Sequence, residues 1–224
     1  MRDPDLLATI TTQEAAAEAE WLAGWLSGPT RTRWTTLPVQ AGDVAPDLEL
    51  LDSTGARRRL SEAWASGPVV LIFMRHFGCS CLRDRWDSLR PALGALWDAG
   101  ASVHLIGQGE PERTAAVAEE RGYPTPVWCD PDRSAYAAYG ILQGTPPQVL
   151  HDFAWHPGDE PLAEAVGRTA RRGTERALVD DPWQLPGEFV VGADGRIALA
   201  HRAQFCEDAP ATGVLLGAIA ATPG

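Results

Sequence analysis

The chain has 224 residues, 45% of them hydrophobic, which is enough for one substantial buried core. Its formal charge of −11 at pH 7 speaks against nucleic acid or an anionic membrane surface as a partner. All nineteen Lys/Arg positions are Arg, so neither a Schiff base nor a lysine nucleophile is available. The opening "MRDPDLLATI" lacks the basic and apolar regions of a signal peptide. No stretch approaches the roughly 18–20 uncharged apolar residues of a membrane span. The expectation is a cytoplasmic protein whose four cysteines, too few for a disulfide scaffold, are reactive or incidental.

In chain order, a capping-box pattern from Thr11 to Glu14 opens a predicted helix that stops at Gly28-Pro29, with Trp21, Leu22, Trp25 and Leu26 at helical spacing. Residues 1–36 read as a helical extension that packs on the same chain, ahead of a main domain over 37–224. "DLELLD-STGA-RRRL" predicts a strand, a turn and a short second strand. "PVVLIFM" is a continuous apolar, β-branched run, as in a central strand covered on both faces. The following helix carries Leu82, Trp86, Leu89, Leu93, Leu96 and Trp97 on one face, with a kink at Pro91. Next come a buried strand "SVHLIGQ", a helix ending at Gly122, a short strand "PVWCD" and a helical "DRSAYAAYGI". Residues 142–185 break the rhythm with five prolines and one helix near "LAEAVGRTARRGTERAL", and read as an insertion. A hairpin, "GEFVV-GADG-RIALAHRA", turns at Asp194-Gly195 before a closing helix over 209–221. Alternating β and α units followed by a hairpin and helix predict an α/β three-layer sandwich around a mixed five-stranded sheet.

The chemistry concentrates in "FMRHFGCSCLRDRWDSLR" (73–90), where a buried strand gives way to a helix at Gly78-Cys79. Backbone N–H groups at a helix N-terminus favour an anion, so a thiol there ionises more easily, and Arg75, His76, Arg83 and Arg85 are close in sequence. A thiolate is the nucleophile toward peroxides and disulfides. A structural cysteine more commonly lies within an element, so Cys79 is the candidate nucleophile.

"AGDVAPDLELLDSTGARRRLSE", "GPVVLIFMRHFGCSCLRD" and "GEFVVGADGRIALAHRA" together resemble the peroxiredoxin-like branch of the AhpC/TSA family, over about 37–221. That branch includes selenoprotein-L-like and prostamide/prostaglandin F synthase-like redox proteins. The resemblance implies a thioredoxin fold, a cysteine nucleophile, a small peroxide or disulfide substrate and an external thiol or thioredoxin-like reductant, with no cofactor. It leaves a homodimer open. It also implies the sheet order 126–129, 102–107, 69–75, 188–192, 196–203, and a cis bond before Pro186, beside the active cysteine.

The chain departs from the family pattern at two points. Typical peroxiredoxins have Pro-x-x-x-Thr-x-x-Cys, whereas Ile72 and His76 stand in the Pro and Thr places here. The branch uses Cys-x-x-Cys, but three residues after Cys79 stands Leu82, and the second cysteine is Cys81. At about 100° per residue, positions two apart point almost oppositely on a helix. A Cys79–Cys81 disulfide therefore requires Cys79 to lie before the first turn. Cys206, in a loop about two strands or roughly 10 Å away, or an external thiol is therefore expected to resolve Cys79 more often than Cys81, the alternative being a strained Cys79–Cys81 ring. Cys129, equally distant on a strand, is read as a spectator.

Competing readings remain. Cys79, Cys81 and His76, completed by Cys129 or Cys206, form a weak candidate for a metal set, and none is assigned as a metal site. A pathway-specific reductase of an organic peroxide or disulfide, or a thioredoxin-fold binding protein without turnover, stands as the alternative function. His104, inside an apolar strand, reads as a satisfied core histidine. His151 and His156 read as surface. Arg168, Arg172 and Arg176, at i, i+4, i+8, read either as a solvated face or as a basic wall receiving an anionic substrate, with Trp155 and Trp183 lining an apolar pocket.

Overall fold

The computed structural model describes residues 4–150 and 180–223, without the side chains of residues 18, 80–84 and 150. Strand β3 (Val69–Phe73) is buried at all five positions, as its uninterrupted apolar sequence requires. It pairs in parallel with β4 (Ser102–Gly107) and antiparallel with β6 (Gly187–Val191). Beyond β4 lies the parallel β5 (Val127–Cys129), and beyond β6 the antiparallel β7 (Ile197–Arg202). These five strands stand in the expected order. The sheet has seven strands, not five, because β1 (Glu49–Asp52) and β2 (Arg57–Arg59) extend it past β5 in the order β2-β1-β5-β4-β3-β6-β7. Leu51 and Asp52 pair with Cys129 and Trp128, so a hairpin legible by itself closes what would be the open edge of β5.

Alternate residues of β3 supply two cores. Val70, Ile72 and Met74 face one layer of helices: α2 (Ser80–Leu89), α3 (Leu93–Asp98), α4 (Pro111–Arg121) and α7 (Thr212–Ala220). Leu71 and Phe73 face Leu60, Trp64, Tyr136, Tyr139 and Phe189 on the other side, where α5 (Ser134–Ala138) packs. Pro91 breaks rather than bends the predicted long helix: a short 3₁₀ turn, Arg90–Ala92, separates α2 from α3. Helix α4 ends as predicted at Gly122, whose φ of 60° puts it in the left-handed region that ends a helix.

Helix α1 (Pro4–Ser27) starts about two turns before the expected capping box. Thr9, Thr11 and Thr12 turn their hydroxyls back onto the carbonyls of Asp5, Leu7 and Ala8, so they extend the helix instead of capping it. The helix lies on α4, where Gln13 donates to Glu112 at 2.8 Å and accepts from the Arg113 N–H at 3.2 Å. Its far end is held by indoles. Trp21 stacks on Trp25 (5.5 Å, 13°), Trp25 stacks on Trp183 (4.5 Å, 9°), and Trp183 Nε1 donates to the Gly24 carbonyl at 2.8 Å. Of the predicted insertion, Pro146–Leu150 forms α6 and residues 180–185 are buried. The helix predicted over 162–178 lies outside the described residues, as do His151 and His156. Among the described residues no helix is long and apolar enough to cross a membrane.

Two buried groups join the layers. The Tyr136 hydroxyl bridges the strands above it, donating to Met74 O at 2.6 Å with Ile106 O at 2.9 Å. Tyr136→Phe leaves two carbonyls without that partner and is expected to cost about 1–3 kcal/mol in urea-induced unfolding. Asp130, 1% exposed, accepts from the Ala135 and Tyr136 N–H groups (2.9 and 3.2 Å) and from Ser134 Oγ (3.1 Å), fixing the start of α5. Burial, then the neighbouring Asp132 carboxyl, pushes Asp130 up to about 6 from 3.8. The folded chain therefore holds a proton between pH 4 and 6 that the unfolded chain has released. This carboxyl's contribution to stability falls as pH rises through that window, by about 3 kcal/mol, and stays lost above it. Urea unfolding at pH 4, 5, 6 and 7 is expected to show that fall in the wild type and a flatter profile in Asp130→Asn.

Candidate functional site

The loop joining β3 to α2 is fixed from several sides. Met74 donates its N–H to Ile106 O at 2.8 Å, and its carbonyl receives Tyr136. Phe77, 1% exposed, drops onto glycines at the end of β4. A Cβ at Gly107 would stand 3.0 Å from its ring, and one at Gly109 only 2.5 Å away, so the close approach requires both glycines. The Arg113 guanidinium lies 5.5 Å from the Phe77 ring centre, and Arg121 Nη2 donates to the Phe77 carbonyl at 2.7 Å. His76 is fully buried, and its carbonyl accepts the Cys79 N–H at 3.0 Å.

Cys79 is the N-cap of α2, in extended conformation (φ −79°, ψ 129°), and 1% exposed. It thus precedes the first helical turn, which is the condition a bond within Cys-Ser-Cys needs. Cys79 is disulfide-bonded, while Cys129 and Cys206 are free. The bond of Cys79 is therefore with neither of these two. Cys129 is buried at the end of β5, and burial pushes its thiol up to about 11. The side chains of Cys81 and Arg83 lie outside the described residues.

Cys206, expected in a loose loop, is 4% exposed and held on three sides. Its N–H donates to Gln148 O at 3.2 Å, its thiol to Val149 O at 3.3 Å, and its sulfur receives Arg75 Nη1. Arg75 was placed near Cys79 by sequence. In the structure its guanidinium reaches Cys206 and, through Nη2, the Pro182 carbonyl. Beside them opens a cavity of about 470 Å³ walled by the end of β3, α2, the start of β6 and residues 206–212. It contains a pair the sequence reading missed: Arg85 Nε and Nη2 donate to the two carboxylate oxygens of Glu188 at 2.5 and 2.6 Å. Glu188 is 3% exposed in a strand otherwise buried throughout. A charge inside such a run is itself the signal, because it must find a partner.

The remaining candidates separate clearly. Pro186 lines the same cavity, but the Leu185–Pro186 bond is trans, not cis. The chain enters β6 already extended: Leu185 N–H donates to Leu142 O at 3.1 Å, and the Pro186 carbonyl accepts from Ala203 N at 3.2 Å. Trp183 belongs to the indole stack on α1. Arg168, Arg172, Arg176 and Trp155 lie outside the described residues. His104 accepts from Trp128 Nε1 at 2.9 Å, and burial lowers it to about 4, the satisfied histidine expected. His201 lies 3.4 Å from an Asp208 carboxylate oxygen, and Arg202 donates to the Tyr139 and Val39 carbonyls (2.8 and 2.5 Å), tying β7 to its neighbours. Among the described residues no group of three or more His, Cys, Asp or Glu is gathered as for a metal ion.

Comparison with known proteins agrees with this architecture. The chain is 24% identical to human peroxiredoxin-like 2C over 200 residues, 87% of this chain and 84% of that one. It is 28% identical to the chloroplastic thioredoxin-like protein AAED1 of Arabidopsis thaliana over 102 residues, 46% of this chain and 41% of that protein. Among solved structures, peroxidoxin BcpB from Mycobacterium tuberculosis superposes with a TM-score of 0.58 at 22% identity, covering 83% of this chain and 99% of that one. The fold is therefore that of thioredoxin-like peroxiredoxins. The family model for the AhpC/TSA antioxidant enzymes matches residues 88–204, which is 117 of the 224 and begins just after the Cys79–Cys81 motif. By that match over more than half its length, the chain belongs to the AhpC/TSA antioxidant enzyme family as a peroxiredoxin-like redox protein of thioredoxin fold.

Proposed function

We propose that the protein is a thiol oxidoreductase in which Cys79 is the nucleophile and Cys81 its partner. The observation that carries this reading is a disulfide-bonded Cys79 at the N-terminus of a ten-residue helix, with both cysteines outside the motif free. A Cys79 thiolate attacking a peroxide breaks the O–O bond, becomes a sulfenic acid and releases an alcohol or water. The partner thiol then displaces water to form the disulfide. With a disulfide substrate, the same thiolate forms a mixed disulfide and the partner thiol releases the second half as a thiol. Both routes end in the oxidised motif, and an external thiol or thioredoxin-like protein returns it to the dithiol.

Burial of Cys79 favours one direction for that return. In the disulfide-bonded state Cys79 is 1% exposed, so the reductant attacks the partner sulfur and Cys79 departs as a thiolate at the N-terminus of α2, whereas its attack on a substrate belongs to the reduced state. Ile72 and His76 in place of the family's Pro and Thr leave the usual peroxide-shaping residues absent, which favours the disulfide route over the peroxide route.

The test uses the reduced chain. Cys79 is expected to alkylate at pH 7 faster than free cysteine, by roughly two- to fivefold if the helix terminus acts alone. One equivalent of hydrogen peroxide should then give a peptide cross-linked at Cys79 in wild type and in Cys206→Ser, and none in Cys79→Ser or Cys81→Ser. A Cys79 no more reactive than free cysteine would remove the enzymatic reading. A cross-link that survives in Cys81→Ser but disappears in Cys206→Ser would move the partner role to Cys206.

A further inference from the structure

The cavity beside Cys206 does not include Cys79 among its walls, so chemistry at Cys79 does not account for it. Its inner end brings a thiol together with two guanidinium groups. Arg75 is 2% exposed; its partners are the Cys206 sulfur and the Pro182 carbonyl, and its Nε meets none among the described residues. Among the described residues no carboxylate pairs with it. A guanidinium that deep keeps a desolvation cost that a thiol and a carbonyl offset only in part, and an anion entering the cavity would complete the set. Arg85 gives Nε and Nη2 to Glu188, while its Nη1 bonds to no described residue. At the outer wall the charge reverses at the half-buried Asp208. With Arg85 paired to Glu188 in the same wall, the uncompensated interior charge is that of Arg75; beside a thiol and with the Asp208 carboxylate at the outer wall, it is complementary to a small zwitterion that carries a carboxylate, an ammonium group and sulfur. The volume falls within the roughly 300–1,000 Å³ usual for small-molecule sites.

We infer that this cavity binds a zwitterionic amino-acid disulfide of the cystine class, its carboxylate toward Arg75 and Arg85, and that Cys206 exchanges with it. The Cys206 sulfur attacks the nearer ligand sulfur, the ligand's S–S bond breaks, and a Cys206–S–S bond forms. The displaced half leaves as a thiolate and takes up the proton that Cys206 has lost, so one disulfide replaces another and no further oxidant is required. Arg75, already on the sulfur, faces the negative charge that develops there. The step goes beyond the proposed chemistry of Cys79 and proceeds without it.

The full-length chain and Cys79→Ser are incubated in parallel with cystine, with cystamine, which lacks the carboxylates, and with uncharged 2-hydroxyethyl disulfide. Mass mapping then locates and times the adducts. A half-cystine is expected on Cys206, forming at least about tenfold faster than the cystamine adduct, a difference of about 1.4 kcal/mol and the scale of one charge-assisted hydrogen bond. The Asp208 carboxylate by itself would favour cystamine, which makes the comparison stringent. Arg85→Gln should bring the ratio of the cystine to the cystamine rate toward one. Arg85→Gln/Glu188→Gln serves where the single variant, with Glu188 left unpaired, fails to fold. Equal rates for cystine and cystamine in the wild type, or adducts that avoid Cys206, would overturn the inference whatever Cys79 does. A Cys206 adduct that persists in Cys79→Ser upholds it even if Cys79 proves inert.

Discussion

The structure turns on where β3 is allowed to stop. All five of its residues are buried and hydrogen-bonded into strands on both sides, so its register cannot drift without displacing β4 and β6 together. The next residue, Met74, is still held by Ile106 on one side and Tyr136 on the other. Only beyond it does the backbone turn, and Phe77, seated on two glycines, sets how far. Cys79 thus arrives at the first turn of α2 from a rigid strand through a short, pinned loop. The placement that makes it chemically interesting is a by-product of core packing elsewhere.

Much of this was legible in the chain. The β-branched runs identified the central strands because a strand covered on both faces has no room for polar alternation, and Gly78-Cys79 marked the change from strand to helix. The seat of the β1–β2 hairpin was not legible, since its pairing with Cys129 and Trp128 links positions far apart whose side chains do not reveal one another. Three threonines hid the true start of α1, because the residue type that caps a helix also bonds back inside one. The trans Leu185–Pro186 bond shows the limit of a borrowed expectation: here extended backbone on both sides of the proline is already bonded.

The site was half legible for a related reason. Arg75 lies four residues before Cys79, and proximity in sequence suggested that it serves that thiol. Arg75 stands two residues past the end of β3, and its guanidinium meets Cys206, 131 positions later. Glu188 and Arg85 found each other in the same way across 103 positions. Buried charges are the least local features of a fold, because each needs a partner and nothing requires that partner to be nearby in the chain.

The indole stack of Trp21, Trp25 and Trp183 ties α1 to the stretch that also supplies the carbonyl partner of Arg75, at Pro182. Two nearly parallel ring pairs at these spacings couple their electronic transitions, so the chromophores of the ladder absorb as a group and not as separate residues. Lifting α1 would uncouple Trp183 from the other two and change the near-ultraviolet circular dichroism without any added label. The protein carries an intrinsic optical gauge of whether its first helix is seated against the wall that holds Arg75.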